Sequence, residues 1–155
     1  MKDKSNTHGQ FRLIAHNPDG SLRFDTGFID NLGMTVRLPV SAGLYVNTGS
    51  QTAFTYLALG SSATAVSAAQ TTLVAEITTL GLGRASATAS RVTTNSTNDT
   101  SQLTYSWTAS GNATINEIGY FNAASVGVMG GRALTGTLSV ANGVVLTAVY
   151  QIIHT

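Results

Sequence analysis

Residues 112–121 read NATINEIGYF, and this stretch together with its two flanks decides the fold. Before it, the apolar side chains of Tyr105 and Trp107 alternate with polar residues, which is typical of a strand with one buried face and one solvated face. The Gly-Asn pair at 111–112 tolerates the backbone angles of a tight turn, and residues 114–121 then form a second apolar segment. The pattern predicts the central hairpin of an all-β domain.

One acidic residue, Glu117, lies inside this apolar segment between Ile115 and Ile118. Burying a carboxylate without a partner costs several kcal/mol or more, so we expect an arginine or backbone amides to bind it. Arg132 and Arg84 are the candidate arginines, because each begins a predicted strand in a region with few charges. The sequence therefore predicts a structural role for Glu117.

The single tryptophan, Trp107, shares one face of its predicted strand with Leu103 and Tyr105. Such residues either pack in a core or stack on sugars and bases. Aromatic side chains on strands more often pack in the core, where they bury a large apolar area. We therefore expect Trp107 to pack between two sheets.

Turn signals divide the rest of the chain into further short strands. Residues 11–16 and 21–28 flank Asn-Pro-Asp-Gly, which suits a type I turn, and Asn-Gly at 142–143 predicts a last hairpin between 132–140 and 143–154. No long stretch has a helical apolar period. Together these patterns predict one antiparallel β-sandwich or jelly-roll domain over residues 11–155.

The middle of the chain is harder to interpret. Pro39 is expected to end any regular element, with a short strand after it at 42–47. The Gly-Gly pair at 130–131 predicts a break or a bulge. Residues 71–79 fit either a short helix or an extended crossing, and both remain open.

The composition indicates that much of the surface is covered by other protein subunits in the working state. Charged residues make up 10% of the chain, against roughly 25% in soluble domains. After residue 37 the sequence contains six charged residues, namely Arg84, Arg91, Arg132, Glu76, Asp99 and Glu117. So few charges do little to keep monomers apart, which favours a homo-oligomer or a larger assembly. A net charge of +1 and the lack of a long apolar run predict that neither nucleic acid nor a membrane is a partner.

No group of residues suggests catalysis. The histidines, His8, His16 and His154, lack neighbours at metal-ligand spacing, and the chain has no cysteine. Glu76 and Glu117 are far apart in the sequence, and no motif supports a carboxylate pair. The sequence therefore predicts a protein that is not an enzyme and that uses no metal or cofactor.

Residues 1–10, MKDKSNTHGQ, are polar and have no apolar residue after Met1. A segment of this kind cannot bury enough surface to offset the entropy lost on ordering, so it is expected to be a flexible arm. Lys2, Lys4 and His8 are its candidate contacts with a partner subunit. A frayed terminus without function is the alternative.

Several segments of the chain resemble structural proteins of tailed-bacteriophage virions. The most specific is INEIG at 115–119, followed by an aromatic pair, and a second is GSLRFDTGFIDNLG at 20–33. The resemblance implies a capsid decoration (cement) protein on the phage head, which binds the major capsid protein and forms a homotrimer. A tail or baseplate component, or a glycan-binding module of a fibre, are the alternatives that it leaves open.

Overall fold

The protein is a sandwich of two five-stranded antiparallel sheets, seen in a computed structural model that describes residues 7–155. In spatial order, sheet A contains β2 (Leu22–Asp30), β1 (Thr7–His16), β10 (Val145–His154), β7 (Thr100–Thr108) and β6 (Thr88–Val92). Sheet B contains β3 (Leu32–Gly33), β9 (Met129–Val140), β8 (Ala113–Phe121), β4 (Tyr56–Gly60) and β5 (Ala85–Ser86). One helix, α1 (Arg37–Tyr45), connects β3 to β4. The all-β sandwich predicted from the sequence is confirmed.

The core lies between the two sheets, where side chains of β1, β7 and β10 meet those of β4, β8 and β9. Tyr120 of β8 stacks on Tyr150 of β10 with ring centroids 4.1 Å apart, and Phe11 of β1 packs against both rings. Alternate residues of β1 and β10 face this interface, which is the burial pattern of a strand in two packed sheets. No helix among residues 7–155 is long and apolar enough to cross a membrane.

The predicted central hairpin is wrong, although both of its strands exist. β7 belongs to sheet A and pairs with β10 and β6, whereas β8 belongs to sheet B and pairs with β4 and β9. Residues 109–112 therefore carry the chain from one sheet to the other. A turn signal fixes where the chain reverses, but it does not decide whether the two strands pair side by side or face each other across a core.

The last predicted hairpin is wrong for the same reason. β9 lies in sheet B and β10 in sheet A, so the Asn-Gly turn at 142–143 also passes between the sheets. The two crossings lie next to each other and hydrogen-bond directly. Ala109 N donates to Val144 O at 2.9 Å, and Gly143 N donates to Ala109 O at 2.7 Å. Strands β7 to β10 thus form one unit in which β8 and β9 are the actual hairpin.

Two other turn predictions are confirmed. The Asn-Pro-Asp-Gly turn joins β1 to β2, with Gly20 N donating to Asn17 O at 2.9 Å and Gly20 at a φ of +84°. The register between β8 and β9 shifts at Gly130. Tyr120 pairs with Gly131, whereas the next residue, Phe121, pairs with Met129, so Gly130 has no partner on β8. The glycine pair is therefore a β-bulge, which bends the strand without ending it.

Residues 37–47 depart from the prediction. Pro39 does not end a regular element, because it is the third residue of α1. The first-turn amides of a helix have no acceptor inside the helix, so proline costs little there. The short strand expected at 42–47 does not form, since the helix extends to Tyr45. Residues 71–79 follow the extended alternative, touching sheet B through one isolated bridge between Gly60 and Glu76.

The flexible arm expected over residues 1–10 does not include residues 7–10, which belong to a strand. Strand β1 begins at Thr7 and pairs with β10 from the Thr7–His154 position onwards. Backbone hydrogen bonds along a strand edge order these polar residues even though they bury little apolar surface. His8 belongs to the sandwich and contacts Asp30, with Nε2 and Oδ1 3.0 Å apart. Lys2 and Lys4 lie outside the described residues.

Candidate functional site

Glu117 and Arg132 form a fully buried ion pair across the β8–β9 hairpin. Arg132 Nε donates to Glu117 Oε2 at 2.5 Å, and both side chains have no exposed surface. Of the two candidate arginines predicted from the sequence, Arg132 is therefore the one that binds Glu117. A charge pair removed from water in this way requires that its remaining hydrogen-bonding atoms also find partners.

Those remaining partners come from the segment 61–75, which has no regular secondary structure. Glu117 Oε1 accepts a hydrogen bond from Ala75 N at 2.8 Å, and Oε2 accepts one from Val74 N at 3.2 Å. Arg132 donates to the Thr64 carbonyl at 2.9 Å and to Gln70 Oε1 at 3.1 Å. The ion pair thus holds a long connection against sheet B, as a packed core would elsewhere.

Arg84 has a different acid, so it is not the partner of Glu117. It makes two hydrogen bonds to the Glu76 carboxylate, at 2.9 and 2.6 Å, and its guanidinium lies 3.6 Å from the centroid of the Phe121 ring. Its Nη1 also donates to the Val126 carbonyl at 2.8 Å. Glu76 and Glu117 flank Gly60 on opposite sides, but each carboxylate is bound by its own arginine. Neither is placed as a free acid or base.

Trp107 is buried between the sheets, as predicted. Its Nε1 donates to the Gly83 carbonyl at 2.7 Å, which satisfies the polar atom of the ring. Tyr105 packs edge-on against the indole with centroids 4.9 Å apart, and Leu103 is buried in the same cluster. The indole of Trp107 therefore packs in the core, and the partly buried ring of Tyr105 packs against it.

The described residues hold no cluster of three or more His, Asp or Glu that would bind a metal ion. The ring of His154 lies at the end of β10 and contacts Ser101 Oγ at 3.3 Å. The ring of His8 contacts one carboxylate, that of Asp30. These contacts lie at the surface, and neither places His8 or His154 beside a second metal ligand.

Exposed apolar side chains lie on α1 and on the residue that follows it; we call them the α1 surface and define it as Leu38, Leu44, Tyr45 and Val46. Tyr45 is 93% exposed, Val46 66% and Leu38 56%. The sequence between residues 38 and 75 contains no charged side chain at all. A helix that carries apolar residues on its exposed side is normally covered by another element. The sequence signal was the charge-free segment, which the strand prediction for 42–47 obscured.

A small polar cavity lies at one end of the sandwich, where α1 begins; we call it the Arg37 cavity. It has a volume of about 50 Å³ and is lined by Asn31, Arg37, Tyr120, Tyr150 and Ile152, together with backbone of β1 and β3. Two buried polar atoms beside it, Asn31 Oδ1 and Arg37 Nε, have no hydrogen-bond partner among residues 7–155. Sequence reasoning missed this site because its residues come from four separate segments of the chain.

Comparison of the chain with protein-family models, with curated proteins and with solved structures finds no match.

Proposed function

We propose that the protein is a structural component of a bacteriophage virion, a capsid decoration protein that binds the lattice of the major capsid protein and stabilises the head. The resemblance of INEIG at 115–119 and its neighbouring segments to phage structural proteins suggests the class. The observation that carries the proposal is the α1 surface, an exposed apolar patch within a charge-free part of the chain. Such a surface suits a protein whose working state is an assembly.

The chemistry of the α1 surface fits binding to another folded protein. Apolar and aromatic side chains supply most of the binding energy at protein interfaces, and charged residues are depleted at interface centres. Tyr45 and Leu38 lie seven residues apart, which is two helical turns, so they share one side of α1. Burying this side of α1 against a capsid subunit removes apolar area from water and does not desolvate any charged side chain of the α1 surface.

In the proposed mechanism, several copies bind the lattice together. A homotrimer presents three α1 surfaces to neighbouring capsid subunits, so that weak individual contacts give a tight overall attachment. Lys2 and Lys4, which precede β1, are proposed to add contacts with a neighbouring subunit. The well-packed sandwich then acts as a rigid clamp between subunits that would otherwise separate under internal pressure.

The test is binding to phage heads that lack the protein. Tyr45→Glu and Leu38→Glu place a charge in the α1 surface, and each should reduce binding at least tenfold while leaving the melting temperature unchanged. Leu22→Glu is the matched control, since Leu22 is a 61% exposed leucine on the outer strand of sheet A. Equal binding by all three variants would show that α1 is not the contact surface.

A second arm of the experiment concerns the terminus. Removing residues 1–6 leaves β1 intact, because that strand begins at Thr7. The truncated protein should keep its oligomeric state and bind heads more weakly, and unchanged binding would exclude Lys2 and Lys4 as contacts. Protein stoichiometry in purified particles distinguishes the tail or baseplate alternative, where a handful of copies replaces a number close to that of the capsid protein.

A further inference from the structure

Arg37 differs from the other arginines of residues 7–155 that are buried or partly exposed. Arg132 pairs with Glu117, Arg84 with Glu76 and Arg12 with Asp25, so each of these guanidinium groups has a carboxylate. Arg37 forms no ion pair with an aspartate or glutamate side chain of residues 7–155. Its Nε is nevertheless removed from solvent without a hydrogen-bond partner. A buried donor on a charged group costs more when unsatisfied than a neutral one, so a ligand that accepts from it is strongly favoured.

The groups around Arg37 do not neutralise it. The hydroxyls of Tyr120 and Tyr150 interact with each other, and burial raises the pKa of both phenols above their ordinary value. Both side chains therefore remain neutral at physiological pH and supply no phenolate. The positive charge of Arg37 acts in the opposite direction to burial and lowers the pKa of both phenols, because the arginine lines the same cavity.

The cavity is shaped by glycines that make room for its polar side chains. A Cβ on Gly33 would lie 2.7 Å from Arg37 Nε, and one on Gly9 would overlap Asn31 Oδ1. A Cβ on Gly131 would meet the Asn31 amide from the other side. Asn31 and Arg37 are thus seated against bare backbone from β1, β3 and β9. A space of about 50 Å³ beside them is large enough for a ligand the size of a water molecule or slightly larger.

We infer that the Arg37 cavity binds a small monovalent anion, either chloride or a single carboxylate group, with Arg37 Nε as its charged donor. Asn31 contributes a second contact, because its amide can turn to present Nδ2 in place of Oδ1 without moving the backbone. A water molecule would satisfy the hydrogen bonds but leave the positive charge uncompensated. The bound anion links the start of α1 to both sheets, so it stabilises the end of the sandwich from which the α1 surface projects.

The experiment measures the thermal unfolding of the full chain in sodium chloride and in sodium acetate, with sodium sulfate at equal ionic strength as the reference salt. Acetate and chloride distinguish the two sources of the anion, and divalent sulfate reports the general effect of added salt on stability. The midpoint should rise in a saturable manner, by about 3–6 °C once the anion exceeds its dissociation constant about tenfold. The rise should be absent from Arg37→Gln and present in Arg91→Gln, an exposed arginine that gives the same change in net charge.

A crystal of the parent protein grown in sodium bromide gives a readout that does not depend on any variant folding. An anomalous peak within hydrogen-bond distance of Arg37 Nε is the expected result. A water at that position, or an equal salt response in the parent and both variants, would overturn the inference. A response that appears only after residues 1–6 are removed would also overturn it, because the acceptor would then be the carboxylate of the chain's own Asp3.

Discussion

Replacing Glu117 with glutamine tests whether the buried ion pair holds the protein together. The new amide group has two possible orientations, and neither is compatible with the surroundings. With Nε2 at the position of Oε1, it faces Ala75 N, which now lies 2.8 Å from that oxygen. With Nε2 at the position of Oε2, it faces Arg132 Nε, and in both cases two donors oppose each other. Glu117→Gln therefore breaks at least one hydrogen bond and leaves Arg132 without a counter-charge.

Breaking one side of a buried pair costs about 3–5 kcal/mol, which corresponds to roughly 6–20 °C in melting temperature for a domain of this size. Urea denaturation followed by the fluorescence of Trp107 measures the free energy of unfolding directly. Hydrogen exchange provides a local readout, since the amides of Val74 and Ala75 should lose protection before those of the core strands. Asp25→Asn is the control, because its pair with Arg12 is partly exposed to water and its loss should cost much less than that of the buried pair.

A second substitution tests whether the two charged side chains act as a pair. Glu117→Gln combined with Arg132→Met removes both charges, so the double variant should be more stable than the sum of the two single losses predicts. Additive losses would show that the two side chains do not act as a pair. If Glu117→Gln unfolds within about 0.5 kcal/mol of the parent protein, the carboxylate does not hold segment 61–75 and the argument fails.

Two further predictions follow from the core and from one surface loop. Trp107→Ala should lower the free energy of unfolding by about 3–5 kcal/mol, and the native fluorescence should resist quenching by iodide; ready quenching would place the indole at the surface. Hydrogen bonds from the backbone amides of Ser96 and Thr94 hold the pKa of the Asp99 carboxyl well below its ordinary value. Since the folded-state pKa is lowered, the contribution of Asp99 is complete above about pH 4 and is lost as the pH falls below it. Asp99→Asn should flatten the fall in urea stability between about pH 4 and pH 2, and an unchanged pH profile would contradict this assignment.

The sequence predicted individual strands better than their partners. Alternation in residues 102–108 and the apolar run at 114–121 located β7 and β8 correctly, because side-chain period depends only on local backbone geometry. The same turn signals suggested hairpins at 109–112 and 142–143, where the chain in fact changes sheets. Pairing depends on which strands meet across the whole molecule, and no local pattern contains that information.

For the buried ion pair, too, the sequence predicted one part of the arrangement and the tertiary structure decided the rest. The sequence alone determined that Glu117 needs a partner, since a lone acid in an apolar strand has few other solutions, and it named Arg132 among two candidates. Only the tertiary structure decided between Arg132 and Arg84, because the choice depends on register in sheet B and on the position of Glu76. The α1 surface and the Arg37 cavity could also be identified only from the tertiary structure. Each assembles residues from separate segments, and burial, exposure and the absence of a counter-charge are properties that a side chain acquires only when the chain has folded around it.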